Sequence, residues 1–251
     1  MAGTLNILHV HGRDAEQARG VVVVIDVLRA FTVSAYALAG GARGLLLVRT
    51  VEEAMALRAE RYPDALLAGE VGGRLIPGFD MNNSPAVMQT RDVRGRLIIQ
   101  RTGAGTQGAV NARHATHLLV GALVNAQATV AYAAQLAAAD AAHQVTLVPT
   151  AGTVEDEGPR AIEDEVCARY MEALLRGRED AADVLARGIA DLEANERLGI
   201  WSQGFEDFPP GDVPAALAAN RFPFAMEGER QTLGEIDYIA VRRVDVEQTG
   251  G

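Results

Sequence analysis

Residues 21–25, Val-Val-Val-Val-Ile, form an unbroken β-branched run that ends on Asp26 and is followed by Val27-Leu28-Arg29. Such a run reads as a strand buried on both faces, the kind found inside parallel sheets. Parallel strands need crossover connections, so this stretch commits the chain to an α/β fold. Asp26 then falls at the carboxyl end of a central strand, where open α/β sheets hold ligands. Two readings of Asp26 and Arg29 stay open. Asp26 binds a metal or attacks phosphorus while Arg29 holds an anionic substrate, or the two form a local ion pair closing a turn.

The rest of the chain repeats the alternation. Further strands are expected at Leu5–Val10, Gly44–Val48, Ala65–Glu70, Leu97–Gln100, His117–Val120 and Val145–Pro149. Helices are expected at about 32–40, 52–61, 85–90, 106–113 and 125–139, with Asn125 placed to cap the last. The expected architecture is a mainly parallel sheet with helices on both faces and right-handed crossovers. After Pro149 the pattern changes to long helices over about 159–175 and 180–197, a Pro/Gly-marked segment at 205–211, and a late edge strand, Ile236–Val246. No clean boundary divides the chain, so 1–251 reads as one α/β domain with a helical C-terminal subregion over 159–235.

Composition narrows the chemistry. No residue is lysine, and all 23 basic residues are arginine. A P-loop lysine, a Schiff base and a lysine general base are therefore excluded, and any bound anion must be held by arginine, backbone N–H groups or a metal. The net charge of −10 argues against nucleic acid or an anionic membrane as partner. No apolar run reaches the ~20 residues of a membrane span, and the start of the chain lacks a signal-peptide pattern. The single cysteine, Cys167, fits a reducing cytoplasm.

Polar or Gly-rich loops follow several of the expected strands. The loop after Glu70 carries Asp80, Asn83 and Ser84 before Pro85, with Ser84 suited to a helix N-cap and Pro85 to the first helical position. Glu70 and Asp80 read as metal or acid/base groups and Asn83/Ser84 as an oxygen-binding edge; the alternative is a surface loop with a well-made cap. The loop Arg101-Thr102-Gly103-Ala104-Gly105-Thr106 opens a helix. Its glycines match G-x-G-x-x-G, but no acid occurs between Gly108 and Asp140 to hold a ribose hydroxyl. An anion cradle of N–H groups, threonine hydroxyls and Arg101 fits better than a dinucleotide site. The loop Thr150–Pro159 leads to Glu163 and Asp164, which read as metal ligands or as acids offsetting a helix dipole. The histidines have no zinc spacing, and no serine sits in a nucleophile elbow. Carboxylates Asp26, Glu70, Asp80, Glu163 and Asp164, with arginine and oriented N–H groups at one end of one sheet, favour Mg²⁺ and phosphoryl transfer over zinc or copper chemistry.

Taken in order, Val24-Ile25-Asp26-Val27-Leu28-Arg29-Ala30, Gly69-Glu70, Gly78-Phe79-Asp80, Asn83-Ser84-Pro85, Thr102-Gly103-Ala104-Gly105-Thr106, Gly121…Asn125-Ala126 and Glu163-Asp164 resemble the 2-phosphosulfolactate phosphatases, the ComB-like proteins. The resemblance spans about residues 20–175 and covers the tail loosely. It implies a Mg²⁺-dependent phosphatase converting 2-phosphosulfolactate to 3-sulfolactate and phosphate. On that reading Asp26, Arg29, Glu70, Glu163 and Asp164 are catalytic. Arg101, Thr102, Gly103, Gly105, Thr106, Asn83 and Ser84 bind substrate, and Asp26, Glu70, Asp80 and Asp164 hold the metal. The alternatives are a phosphatase of another small phosphorylated hydroxy acid, or a non-catalytic anion- or nucleotide-binding protein. The expected partner is a small phosphoester, and monomer and homodimer both stay open.

Overall fold

A computed structural model describes residues 4–150, 162–204 and 207–246. They form a ten-stranded mixed sheet in the order β1-β8-β2-β7-β9-β10-β3-β6-β4-β5. The strands are β1 (Asn6–His9), β2 (Gly20–Ile25), β3 (Gly44–Val48), β4 (Leu66–Val71), β5 (Arg74–Leu75), β6 (Leu97–Arg101), β7 (Ala115–Gly121), β8 (Gln144–Pro149), β9 (Phe224–Leu233) and β10 (Ile236–Asp245). The helices are α1 (Ala30–Ala39), α2 (Val51–Glu60), α3 (Pro85–Met88), α4 (Gly105–Asn111), α5 (Ala126–Ala139), α6 (Ile162–Leu175), α7 (Ala181–Glu193), α8 (Glu196–Gln203) and α9 (Asp212–Leu217). No helix among the described residues is long and apolar enough to cross a membrane.

β2 is buried along its whole length and pairs in parallel with both β7 and β8, as its β-branched run requires. β1, β8, β2 and β7 form one parallel block, and β3, β6 and β4 form a second. Alternation along the strands of the second block feeds two cores. Leu45, Leu47 and Ile98 join the main core, while Leu46, Val48 and Ile99 pack with Leu57 of α2 on the other face.

The late strand lies inside the sheet, not at its edge. β9 and β10 form a long hairpin whose outer sides pair antiparallel with β7 and β3, so it joins the two parallel blocks. Three successive antiparallel pairings set the second block running opposite to the first along the ladder. Between β2 and β6 the strand twist accumulates to roughly 100–125°. That turning lets the carboxyl ends of strands from opposed blocks approach one another.

Local signals are mostly kept. Thr50 and Glu53 form a capping box on α2, and Ser84 caps α3 with Pro85 in its first turn. Asn125 does not cap α5; its Oδ1 accepts from the Ala122 N–H at 3.0 Å and closes the turn before the helix. The helix expected over 180–197 breaks after Glu193 and restarts at Glu196. The start of the helix expected from 159, and the loop after Thr150, lie outside the described residues.

Candidate active site

Asp26 is the residue after β2, and it is buried. Its Oδ1 accepts the Ala30 N–H of α1 at 2.9 Å, and the Gly105 backbone lies near enough to favour its charged form. A Cβ on Gly105 would lie 2.6 Å from Asp26 Oδ2 and 2.7 Å from the Ala30 Cβ, so only glycine lets α4 come this close. Burial pushes the Asp26 carboxyl up to about 6; the Ala30 N–H pulls it back, the Glu70 charge raises it, and Gly105 and Arg29 lower it.

Glu70 comes from β4, in the other block. Its Oε1 accepts from Gly103 N at 2.6 Å and its Oε2 from Gly73 N at 2.7 Å, which fixes both oxygens. Gly69 makes this placement possible. A Cβ there would stand 2.0 Å from the Arg101 carbonyl oxygen, so the β4–β6 ladder excludes any side chain.

α6 supplies Asp164 and Glu163, both buried. Asp164 Oδ1 accepts the Val27 N–H at 2.7 Å, directly beside Asp26. Thr150 Oγ1 lies 3.0 Å from the Ile25 carbonyl and 3.3 Å from Asp164 Oδ2. That hydroxyl carries one proton and can serve only one of these acceptors at a time. Burial, then the charges of Asp26 and Glu163, hold the Asp164 carboxyl well above the usual range. Burial, and then the Asp164 charge, likewise push the Cys167 thiol up, which suits an inert core cysteine rather than a nucleophile.

The sequence-selected groups therefore divide. Asp26, Glu70, Glu163, Asp164 and the Thr102–Thr106 loop converge. Asp80 does not join them: its Oδ2 accepts from Leu67 N at 2.8 Å and pairs with Arg58 at 3.2 Å. Leu67 and Glu70 are three residues apart on β4, roughly 10 Å. Asn83 Oδ1 accepts from Gln100 Nε2 at 3.1 Å, and Ser84 Oγ caps α3 and donates to Asp212 at 2.5 Å, so both serve the scaffold.

The glycine-rich loop is not an open anion cradle. Its Gly103 N–H is spent on Glu70, Gly105 packs against the Asp26 carboxylate, and Thr102 and Thr106 bond each other's backbone N–H groups at 2.9 and 3.2 Å. Arg101 is the exception. Its guanidinium donates to the Glu70 carbonyl at 2.7 Å, its buried Nε has no hydrogen-bond partner, and no ion pair neutralises it among the described residues.

Arg29 pairs not with Asp26 but with Asp212, at 3.0 Å and fully buried. It also donates to the carbonyls of Asp207 and Gly73 at 2.7 and 3.3 Å, with the Phe208 ring 4.3 Å from the guanidinium carbon. Sequence reasoning passed over Asp207, Phe208 and Asp212, because the Phe-Pro-Pro-Gly stretch reads only as a break. Among the described residues no set of three or more His, Cys, Asp or Glu side chains is arranged to hold a metal ion. A carboxylate pair, Asp26 with Glu70, is what the arrangement offers a cation that keeps most of its water.

Residues 7–198 match the family model described as 2-phosphosulpholactate phosphatase. The chain is 43% identical to a probable 2-phosphosulfolactate phosphatase of Deinococcus radiodurans, over 88% of this chain and 93% of the relative. Proteins of the same description from Bacillus subtilis (38% identical, 66% of this chain, 69% of the relative) and a Synechococcus strain (32%, 93% and 89%) are also similar.

Proposed function

The chain belongs to the 2-phosphosulpholactate phosphatase family, and on that premise we propose that it hydrolyses 2-phosphosulfolactate to 3-sulfolactate and phosphate, with Mg²⁺ held by Asp26 and Glu70. The observation that carries this reading is that three separate segments bring Glu70 and Asp164 to the Asp26 turn, where burial and the Glu70 charge both raise the Asp26 carboxyl and a cation on the Asp26–Glu70 pair would offset that repulsion. When bound, Mg²⁺ supplies charge neutralisation and polarises a phosphoryl oxygen.

The chain's own residues do the positioning. Ala30 and Gly105 fix the Asp26 carboxylate, and Gly73 and Gly103 fix that of Glu70. Preset acceptors of this kind need no reorganisation when charge develops. Burial and the nearby Asp26 and Glu163 charges raise the Asp164 carboxyl, which accepts the Val27 N–H beside Asp26 at 2.7 Å and so holds the turn that carries it. Arg101, which has no ion-pair partner among the described residues, takes the acid end of the substrate. A cytoplasmic location belongs to the same proposal.

The test is phosphate release from a panel of small phosphoesters, with Mg²⁺ or with EDTA. Turnover of 2-phosphosulfolactate that needs Mg²⁺ and vanishes in Asp26→Asn supports the reading. Turnover of a different phosphorylated hydroxy acid would correct the substrate, and release from none would leave an anion-binding protein.

A further inference from the structure

Residues 207–212 lie beyond the stretch 7–198 that matches the family model, yet they grip the turn that carries Asp26. Asp212 opens α9 and is fully buried. Its Oδ2 accepts from Arg29 Nη1 at 3.0 Å, and its Oδ1 from Ser84 Oγ at 2.5 Å and Ala86 N at 3.1 Å. Both Nη1 hydrogens of Arg29 are thereby used, one on Asp212 and one on the Asp207 carbonyl, and Phe208 covers the guanidinium. A planar guanidinium held this way has one orientation. In that orientation its Nη2 donates to the Gly73 carbonyl at 3.3 Å. The Gly73 N–H in turn donates to Glu70 Oε2 at 2.7 Å. Gly73 has positive φ, with open space where a side chain would be, so its carbonyl is held by the donors Arg29 Nη2 and Asn82 Nδ2, both at 3.3 Å, and not by side-chain packing.

We propose that Asp212 is a positioning residue for the phosphatase reaction, acting through Arg29 and Gly73 to set the Glu70 carboxylate. The proposal rests on the phosphatase reading above. It separates Asp212 from an ordinary buried ion pair, whose loss would weaken the whole fold without singling out the 70–75 hairpin.

The test pairs a kinetic cycle with local hydrogen exchange. Asp212→Asn, Arg29→Gln and the double variant are assayed on 2-phosphosulfolactate well below their melting temperatures. Each single variant is expected to lose about 10- to 100-fold in kcat/KM, the scale of a misplaced catalytic group. The double variant is expected to match Arg29→Gln within about twofold, because the two residues act in series. Amide exchange in a peptide covering 70–76 is expected to quicken at least about tenfold in Asp212→Asn while α5 is unchanged. Unchanged kcat/KM, losses that multiply, or exchange that rises uniformly across the chain would each overturn the proposal. Should Asp212→Asn not fold, Phe208→Leu removes the ring over Arg29 while keeping an apolar side chain in the cluster with Val166, Leu192, Leu198 and Val213, and carries the same readouts at about three- to tenfold amplitude. A wild-type protein that releases no phosphate would refute the phosphatase reading. The exchange arm would then decide the relay alone: local loosening upholds it and uniform loosening overturns it.

Discussion

Replacing Asp26 with asparagine should abolish turnover and, in metal-free protein at pH 8, raise the melting temperature. The folded carboxyl holds its proton up to about 6, against an ordinary 3.8. A group bound more tightly to its proton in the folded state supports folding fully below the lower value. That support is lost as pH climbs through the higher one. Between those limits the gap corresponds to about 3 kcal/mol lost by pH 8. Asparagine carries no charge, but it offers one acceptor oxygen in place of two beside the Ala30 and Gly105 backbones, which costs about 1 kcal/mol. The net gain is about 2 kcal/mol, or about 4–8 °C for a chain of this size. At pH 4.5 the titration term shrinks to about 1 kcal/mol, so the two proteins should melt together. Calorimetry in EDTA at both pH values measures this. Saturating Mg²⁺ at pH 8 should then stabilise the wild type by about 3 kcal/mol at a hundredfold excess over Kd, and the variant much less. An Asp26→Asn protein that melts at or below the wild type at pH 8 in EDTA would refute the account of a strained, buried charge.

Gly105→Ala puts a methyl group against Asp26 Oδ2; kcat should fall at least about a hundredfold, as a displaced reactive group predicts, with near-native circular dichroism. Arg101→Gln removes the guanidinium beside Glu70 and should raise KM by about 10- to 100-fold with kcat nearly unchanged in steady-state assays, the mark of lost ground-state binding. Gly69→Ala drives a methyl group into the Arg101 carbonyl and should part β4 from β6, lowering stability by about 3 kcal/mol or more in denaturant melts.

Much of this site is written in short stretches of the chain. The run 21–25 names its own central strand, and Ser84-Pro85 announces the start of α3, because both signals are local. Asp26, Glu70 and Asp164 stand out because each follows or faces such an element. What could not be read is which loop N–H meets which carboxylate. Gly103 and Gly105 look like an anion cradle until tertiary structure brings the protein's own acids to them. Arg29 lies three residues from Asp26 but pairs with Asp212, at the far end of the chain. β9 falls inside the helical subregion expected over 159–235, because Glu227, Glu229 and Arg230 hide its strand character. The two-residue turn Gly234-Glu235, with Gly234 at positive φ, was the available hairpin signal.

Because the last hairpin is the seam between blocks that contribute Asp26 and Glu70, synthesis order matters. A ribosome that has released residues 1–220 has already made both carboxylates, yet β7 and β3 still lack the strands that join them. The main core draws side chains from both blocks, so until the hairpin is in place it lacks the strands that set their relative position. Catalytic competence should therefore arrive abruptly with the final segment, and a nascent or C-terminally clipped chain should be inert even where it is largely folded.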